Sequence, residues 1–220
     1  NISLLNNIKV QGLKRIGKYI IINLENEFSI VIHLGMPGRL RLIKAINFNR
    51  QKHDHFIILT SKKYLLVFND PRKFGFIDYQ MTSKIHQIKY FLNLGKDGLN
   101  KSLNGHYLYK KINKSVVPIK QILLNQSIIS GIGNIYASEI LYNAKISPFD
   151  RGKDLSLIDC KQIVISTKKI LKKAIAAGGS TLKNYVSADG TIGNFQNNFK
   201  VYNREGKKIH GNAIKKVIQY

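Results

Sequence analysis

The stretch Ser130-Gly-Ile-Gly-Asn-Ile-Tyr-Ala-Ser-Glu-Ile-Leu141 sets a tight glycine turn directly against the start of a helix. Gly131 and Gly133 make the turn, Asn134 is a good N-cap, and helical spacing then continues to about Ala144. Backbone N–H groups at such an end project outward with the positive pole of the helix dipole, so a phosphate can approach with no Cβ in its way. The same residues also describe an ordinary capped helix. Asn134 can cap its own helix or bond a phosphate oxygen, and spacing does not separate the two.

Working outward, Pro118 stands at a first helical position before Ile119–Gln126, where its fixed φ and missing donor cost nothing. Downstream, Ser156 and Asp159 form a capping box with Asp in place of Glu. Apolar positions Ile163, Val164, Thr167, Ile170, Leu171, Ala174 and Ile175 then keep one face as far as Gly178-Gly179, a natural stop. Residues 180–195 are too polar and too long for a mere connector. Beyond them, Phe199–Tyr202 and Ala213–Ile218 around Gly206 read as a β-hairpin. Before residue 118, Lys84–Leu94 has helical spacing and Leu94-Gly-Lys-Asp-Gly-Leu99 reads as a hinge loop.

The first third has the period of strands. Tyr19–Leu24 and Phe28–Leu34 flank Glu25-Asn26-Glu27, and Phe56–Thr60 and Tyr64–Phe68 flank Ser61-Lys62-Lys63, two hairpins preceded by a strand opening at Ile8–Val10. This spacing predicts an antiparallel sandwich or sheet. The expected fold is α+β. An incomplete N-terminal β-sandwich spans 1–94, a hinge 95–104, a helical domain 105–195 and a hairpin 196–220.

The sequence has 220 residues with 36 Lys+Arg against 12 Asp+Glu, a net charge of +24. That length means one large or two small domains, and 44% hydrophobic residues supply a core, which excludes a wholly disordered basic tail. No apolar run reaches the ~18–20 residues of a membrane span, and no secretory signal opens the sequence; an intracellular protein is expected. The one cysteine, Cys160, removes any disulfide framework or all-cysteine zinc site and points to a reducing compartment. A/T-rich codons explain abundant Lys, Asn and Ile, but they supply Asp and Glu as well. An excess this large favours a polyanion partner, nucleic acid or an anionic membrane surface. Residues 1–82 hold 13 basic and 5 acidic residues and residues 83–220 hold 23 and 7, so both parts are expected to face it.

Eight motifs occur in order: Arg15-Ile-Gly-Lys-Tyr19, His33-Leu-Gly-Met-Pro-Gly38, Lys52-His-Asp-His55, Asn69-Asp-Pro-Arg-Lys-Phe-Gly75, Pro118-Ile-Lys120, the Gly131–Leu141 block, Gly178-Gly-Ser-Thr-Leu182 and Val201-Tyr202. In order and spacing they resemble the formamidopyrimidine-DNA glycosylase family, bacterial base-excision enzymes with a helix–two-turns–helix DNA-binding motif. The endonuclease VIII-like sister group, acting on oxidised pyrimidines, shares the fold. The His-Leu-Gly-Met and Asp-Pro-Arg-Lys-Phe-Gly motifs look more like the purine-directed branch.

The resemblance implies a monomeric DNA glycosylase and AP lyase of the bacterial cytoplasm, associated with the nucleoid. Its substrate would be duplex DNA carrying 8-oxoguanine, ring-opened purines or abasic sites. Such an enzyme must extrude the damaged nucleotide and fill the vacated stack. By resemblance Met36 and Phe74 wedge between bases while Arg72 bonds the orphaned partner base. Lys18 matches a lysine of the elimination step. His53 and Lys120 match phosphate-backbone contacts and with Lys18, Arg72 and Asn134 would form a clamp spanning both domains that positions the duplex without reading it. Residues 180–195 match a lesion-recognition loop with Ser180, Thr181 and Tyr185 as donors. Taken singly, each residue has a plainer reading: core packing for Met36 and Phe74, a solvated charge for Lys18, and a turn histidine paired with Asp54 or Asp70 for His53.

Two features depart from the family pattern. The family's nucleophile is an N-terminal proline followed by a glutamate general acid. This sequence opens Asn1-Ile2, and Pro37, Pro71, Pro118 and Pro148 are internal amides without a lone pair for attack. The family's tail carries two Cys-x-x-Cys pairs that bind one structural zinc. Residues 204–219 keep a strand pattern without cysteines, and His210 alone cannot hold a four-coordinate metal. The expectation is therefore truncation at both ends, a zincless or degenerate finger and no cofactor in these residues. The alternative is a non-catalytic binder of damaged or kinked DNA.

Overall fold

The computed structural model describes residues 5–180, 188, 193–209 and 212–215. Tertiary contacts divide the chain into two units, Asn1–Asn93 with Ser180–Gly193, and Leu94–Gly179 with Asn194–Tyr220.

The first unit is two antiparallel sheets. Strands β1 (Val10–Ile16), β2 (Tyr19–Leu24), β3 (Phe28–His33) and β7 (Phe76–Met81) lie in that order in one, and β4 (Arg39–Lys44), β6 (Tyr64–Asn69) and β5 (Asp54–Leu59) in the other. Both hairpins read from the sequence are present, β2 paired with β3 and β5 with β6. Alternate residues Ile22, Leu24, Ile30 and Ile32 are buried and meet Leu40, Ile58 and Leu66 of the second sheet, which makes the sandwich. At about 1.5–3 kcal/mol per buried side chain this face dominates the unit's stability.

The stretch Lys84–Leu94 is not an α-helix. A 3₁₀ helix covers Thr82–Gln87, and the N–H groups of Ile88 and Phe91 donate to carbonyls three residues back, those of Ile85 and Ile88. Ile85, Ile88 and Phe91 repeat every three residues, which fits the tighter helix as well as the α period. The presumed hinge loop is also tied down. Lys96–Asp97 (β8) pairs in parallel with Ile129–Ser130 (β9), and the Ser130 hydroxyl donates to the Gly95 carbonyl at 3.0 Å.

In the second unit α1 (Gly105–Ile112), α2 (Ile119–Leu124), α3 (Asn134–Ala144) and α4 (Leu157–Ala176) enclose a core that includes Leu108, Ile112, Leu123, Ile140 and Ile163, all fully buried. Pro118 occupies the N-cap of α2, and both halves of the Ser156–Asp159 capping box are formed on α4. Asn134 is the first residue of α3 rather than its cap. Gly133 takes the cap position, in extended backbone, with no side-chain cap bond. In the tail the hairpin is displaced from the expected one: β10 (Lys208–Ile209) pairs with β11 (Asn212–Ala213), and Gly206 opens the ladder by donating to the Ile214 carbonyl at 2.9 Å. Phe199–Tyr202 follows a 3₁₀ turn at Phe195–Asn198 and is held by a side chain instead of a strand partner.

Candidate nucleic-acid interface

In the first unit the candidate residues lie along one linked series of contacts. Lys18 sits in the two-residue turn between β1 and β2, where Gly17 takes φ +57° and the Arg15 guanidinium donates to the Gly17 carbonyl at 2.7 Å. It is exposed, yet partial burial of the ammonium lowers its pKa. Its neighbour Tyr19 packs on His33, with ring centroids 4.9 Å apart. Burial, and after it the positive charge of Lys18, lowers the His33 pKa. His33 is therefore neutral with Nδ1 as an acceptor, and the Gly35 N–H donates to that nitrogen at 3.2 Å.

Gly35 fixes the next step. At φ +67° its backbone lies so close to the 74–75 peptide that a Cβ would come within 2.6 Å of the Gly75 nitrogen. This brings Met36 beside the Pro71–Gly75 loop. Met36 is 73% exposed and Phe74 53%, and the Arg72 guanidinium lies 4.4 Å from the Phe74 ring centroid. The core-packing reading of the two apolar side chains is thereby removed. Two large apolar groups displayed around a guanidinium are what the loop positions, after Gly35 and between Pro71 and Gly75, favour.

Asp70 holds that loop. Fully buried, its carboxylate accepts from the Gly75 N–H at 2.7 Å and the Arg72 N–H at 3.2 Å, while Lys73 between them takes φ +55°. The Asp70 N–H donates to the His53 carbonyl at 3.1 Å, and His55 Nε2 lies 2.9 Å from the Asp70 carbonyl oxygen. His53 is thus joined to the Arg72 loop by the backbone and not by an ion pair with Asp54 or Asp70. Asp54 is engaged elsewhere: both its oxygens lie 2.7 Å from Arg41 Nη2, and Asn69 Nδ2 and the Gln51 N–H also donate to it. Burial pushes its carboxyl up, but these donors outweigh that and hold its pKa below the ordinary value.

In the second unit Lys120 and Asn134 line one pocket of about 510 Å³, with Ser138, Tyr142, Tyr202 and Lys215 among its walls. Lys120 is only 9% exposed, and burial lowers its pKa. Asn134 lines this space and, as the first residue of α3, does not cap it. The turn before it is stapled by Gln126, whose Oε1 accepts from the Gly131 N–H at 2.9 Å and whose Nε2 donates to the Ile132 carbonyl at 3.0 Å. A buried carboxylate, Glu139, accepts from the N–H groups of Lys200, Val201 and Tyr202 at 2.9–3.0 Å and so sets the Tyr202 wall.

Ser180 is half-buried just past Gly179; Thr181 and Tyr185 lie outside the described residues, as does His210. Ala188 accepts a backbone hydrogen bond from Leu42. Among the described residues no group of three or more His, Cys, Asp or Glu side chains could hold a metal. Cys160 is buried in α4, where burial, and then Asp159, raises its pKa to about 11. A thiol that resists ionisation does not suit zinc, and the hairpin has no cysteines, so the residues present do not fit the family's metal. No helix of the described residues is long and apolar enough to cross a membrane.

Comparison with known proteins identifies this architecture. The profile of the formamidopyrimidine-DNA glycosylase N-terminal domain matches residues 2–77, and that of the formamidopyrimidine-DNA glycosylase H2TH domain matches residues 94–186. The chain belongs to the formamidopyrimidine-DNA glycosylase family. The family member from Wolbachia pipientis of Culex pipiens is 44% identical over 207 residues, 93% of this chain and 75% of the relative. Lactococcus lactis Fpg in complex with abasic-site DNA superposes with a TM-score of 0.90 at 34% identity, covering 98% of this chain and 79% of that one. The wild-type Lactococcus enzyme with N7-benzyl-Fapy-dG DNA gives 0.90 at 33% identity with the same coverage.

Gln126 and Glu139 are supports to which the sequence reading gives no role, and Asp70, read there only as a partner for His53, instead holds the Arg72 loop. Asp70 and Glu139 stand inside quoted motifs. Glu139 is buried although helical spacing places it opposite the Ala137–Ile140–Leu141 stripe, so its burial comes from the Lys200–Tyr202 segment and carried no local signal.

Proposed function

We propose that this member of the formamidopyrimidine-DNA glycosylase family performs base excision on duplex DNA, removing oxidised purines such as 8-oxoguanine and ring-opened purines and nicking the abasic strand. The carrying observation is exposed Met36, next to the Gly35 contact, together with the Arg72–Phe74 pair on a loop locked by Asp70. An exposed thioether and ring cost stability in water unless they insert into an apolar gap, and the gap left by an everted nucleotide is one.

In this reading Met36 and Phe74 fill the vacated stack and Arg72 donates to the base left unpaired. Lys120 and Asn134 grip phosphates from the α2–α3 side, and a phosphate offers the partly desolvated Lys120 ammonium a counter-charge. His53 adds a further phosphate contact. Lys18, its pKa lowered by burial, is the better suited to take up a proton during β-elimination after the base has left. Ser180, Thr181 and Tyr185 bond the altered edge of the everted purine. The internal prolines are tertiary amides, so the amine that attacks C1′ is not among the residues assigned here. A bacterial repair enzyme with these contacts works in the cytoplasm at the nucleoid.

The test is borohydride trapping of the full-length gene product on a duplex with one 8-oxoguanine, alongside release of the free base. A covalent adduct and base release are expected. Tight lesion binding with neither product would establish a binder without excision.

A further inference from the structure

Helix α4 has an outward face that the lesion site does not use. Its buried residues, among them Cys160, Ile163, Thr167, Ile170 and Ala174, lie on one side, and at 3.6 residues per turn Lys161, Ile165, Lys169 and Lys172 fall on the other with Lys173 flanking them. The helix carries five lysines and no acidic residue after Asp159, whose carboxylate is occupied in the capping box. Lys168–Lys172 and Lys169–Lys173 are like-charge pairs one turn apart, each destabilising by about 0.2–0.5 kcal/mol. Lys172 and Lys173 offset this by their place near the negative end of the helix, but Lys161 stands near the positive end. Among the described residues a salt bridge joins Arg41 to Asp54, in the other unit, and none joins a lysine of α4 to a described acid.

The face continues onto α1. A Cβ at Gly105 would lie 2.9 Å from the Lys161 Cα, and the Lys168 ammonium donates to the Leu103 carbonyl at 2.8 Å. Exposed Lys101, two residues before Leu103, adjoins this contact. No residue of α4 lines the Lys120–Asn134 pocket.

We propose that the outward face of α4, extended by α1, is a second surface for duplex DNA, binding backbone phosphates of a segment other than the one held at the lesion site. This rests on the reading of the protein as a DNA repair enzyme. Charge complementarity selects the partner: Lys161 to Lys172 spans about 16 Å along the helix, long enough to meet several phosphates spaced about 3.4 Å along each strand. A lipid surface suits it less, because the continuous apolar side of the helix is buried in the core and the exposed Ile158, Ile165 and Ile175 stand singly among the lysines. Contacts of this kind keep the enzyme on DNA while its lesion site releases one segment and samples the next.

The experiment saturates the full-length protein with a short lesion duplex and measures capture of a second, labelled, undamaged duplex. Comparison is made with a variant carrying Lys161→Gln, Lys169→Gln, Lys172→Gln and Lys173→Gln, and with the corresponding four Lys→Arg changes. Gln keeps helix propensity and relieves repulsion, and circular dichroism checks the fold. Wild type and the Arg variant capture the second duplex. The Gln variant loses at least tenfold, and its log–log salt slope on long DNA falls by about 2–4, near 0.9 for each lost phosphate contact. Equal capture by the Gln variant and wild type overturns the proposal, as does loss of phosphatidylserine vesicle binding with DNA capture intact. Failure of the wild type to bind the short lesion duplex would instead refute the repair reading.

Discussion

Asp70→Asn isolates the support of the wedge from the wedge itself. The substitution preserves shape, but Asn has one acceptor oxygen where the carboxylate has two, and the buried carboxylate serves both the Gly75 N–H at 2.7 Å and the Arg72 N–H at 3.2 Å. Keeping the shorter bond turns the new amide N–H₂ toward the Arg72 N–H, donor against donor. Losing a hydrogen bond to a charged group costs about 1.5–3 kcal/mol. Left-handed Lys73 adds about 1–2 kcal/mol of strain that the remaining contacts must hold. If the closed and open loop are already comparable in population, a loss of 1.5 kcal/mol lowers the closed-to-open ratio by about tenfold. Base release from an 8-oxoguanine duplex in single turnover should then slow by about tenfold, while affinity for undamaged duplex changes little, because the loop's apolar tips contribute only once a nucleotide has left the stack. Urea unfolding supplies the control by measuring the global loss. A variant that releases the base at the wild-type rate would refute the argument that Asp70 positions the Arg72–Phe74 loop, and parallel loss on damaged and undamaged DNA would refute its specificity for eversion.

Met36→Ala should weaken lesion binding and slow base release with near-normal affinity for plain duplex, whereas Lys120→Ala and Asn134→Ala should weaken both duplexes; filter binding at several salt concentrations checks this, and Lys120→Ala should lower the log–log slope by about 0.9. Gly35→Ala should destabilise the first unit by more than about 1 kcal/mol in urea unfolding, because φ +67° and the Phe74–Gly75 peptide both oppose a Cβ. His33, with its pKa held below the ordinary 6.5, contributes stability that is complete above that value and is lost as pH falls through the folded-state value; His33→Gln should flatten this part of the stability–pH profile. Glu139→Gln should release Lys200–Tyr202 from α3, raising amide exchange there and weakening DNA binding on the Tyr202 side of the pocket.

The parts of the fold legible in the sequence were those governed by one local rule. The 23–29 hairpin, the Ser156–Asp159 box and the glycine stop after α4 each follow from a few adjacent residues, and each is present. Lys84–Leu94 failed because a repeat of three satisfies two helical periods, and only the hydrogen bonds choose between them. Lys96–Asp97 failed because its partner lies more than thirty residues away, beyond any local pattern. The tail hairpin was misplaced because Phe199–Tyr202 has strand composition but its N–H groups bond to Glu139, sixty residues upstream, and not to a strand.

The same distinction separates the site residues that could be named from those that could not. Met36, Arg72, Phe74, Lys120 and Asn134 stand in motifs where the residue type itself is the signal. Asp70 and Glu139 act through backbone N–H groups, which every residue except proline carries, so nothing in their partners' identities marks the contact. In a chain with 36 basic residues and 12 acidic ones, however, a buried acid has many cations nearby to pair with. Those two carboxylates instead spend their oxygens on main-chain donors of the Arg72 loop and the Tyr202 segment, which leaves the cations unneutralised. Among the described residues the third buried acid, Asp54, pairs with Arg41, while Asp70 and Glu139 fix backbone segments, and with so few acids the net positive charge remains available to phosphates.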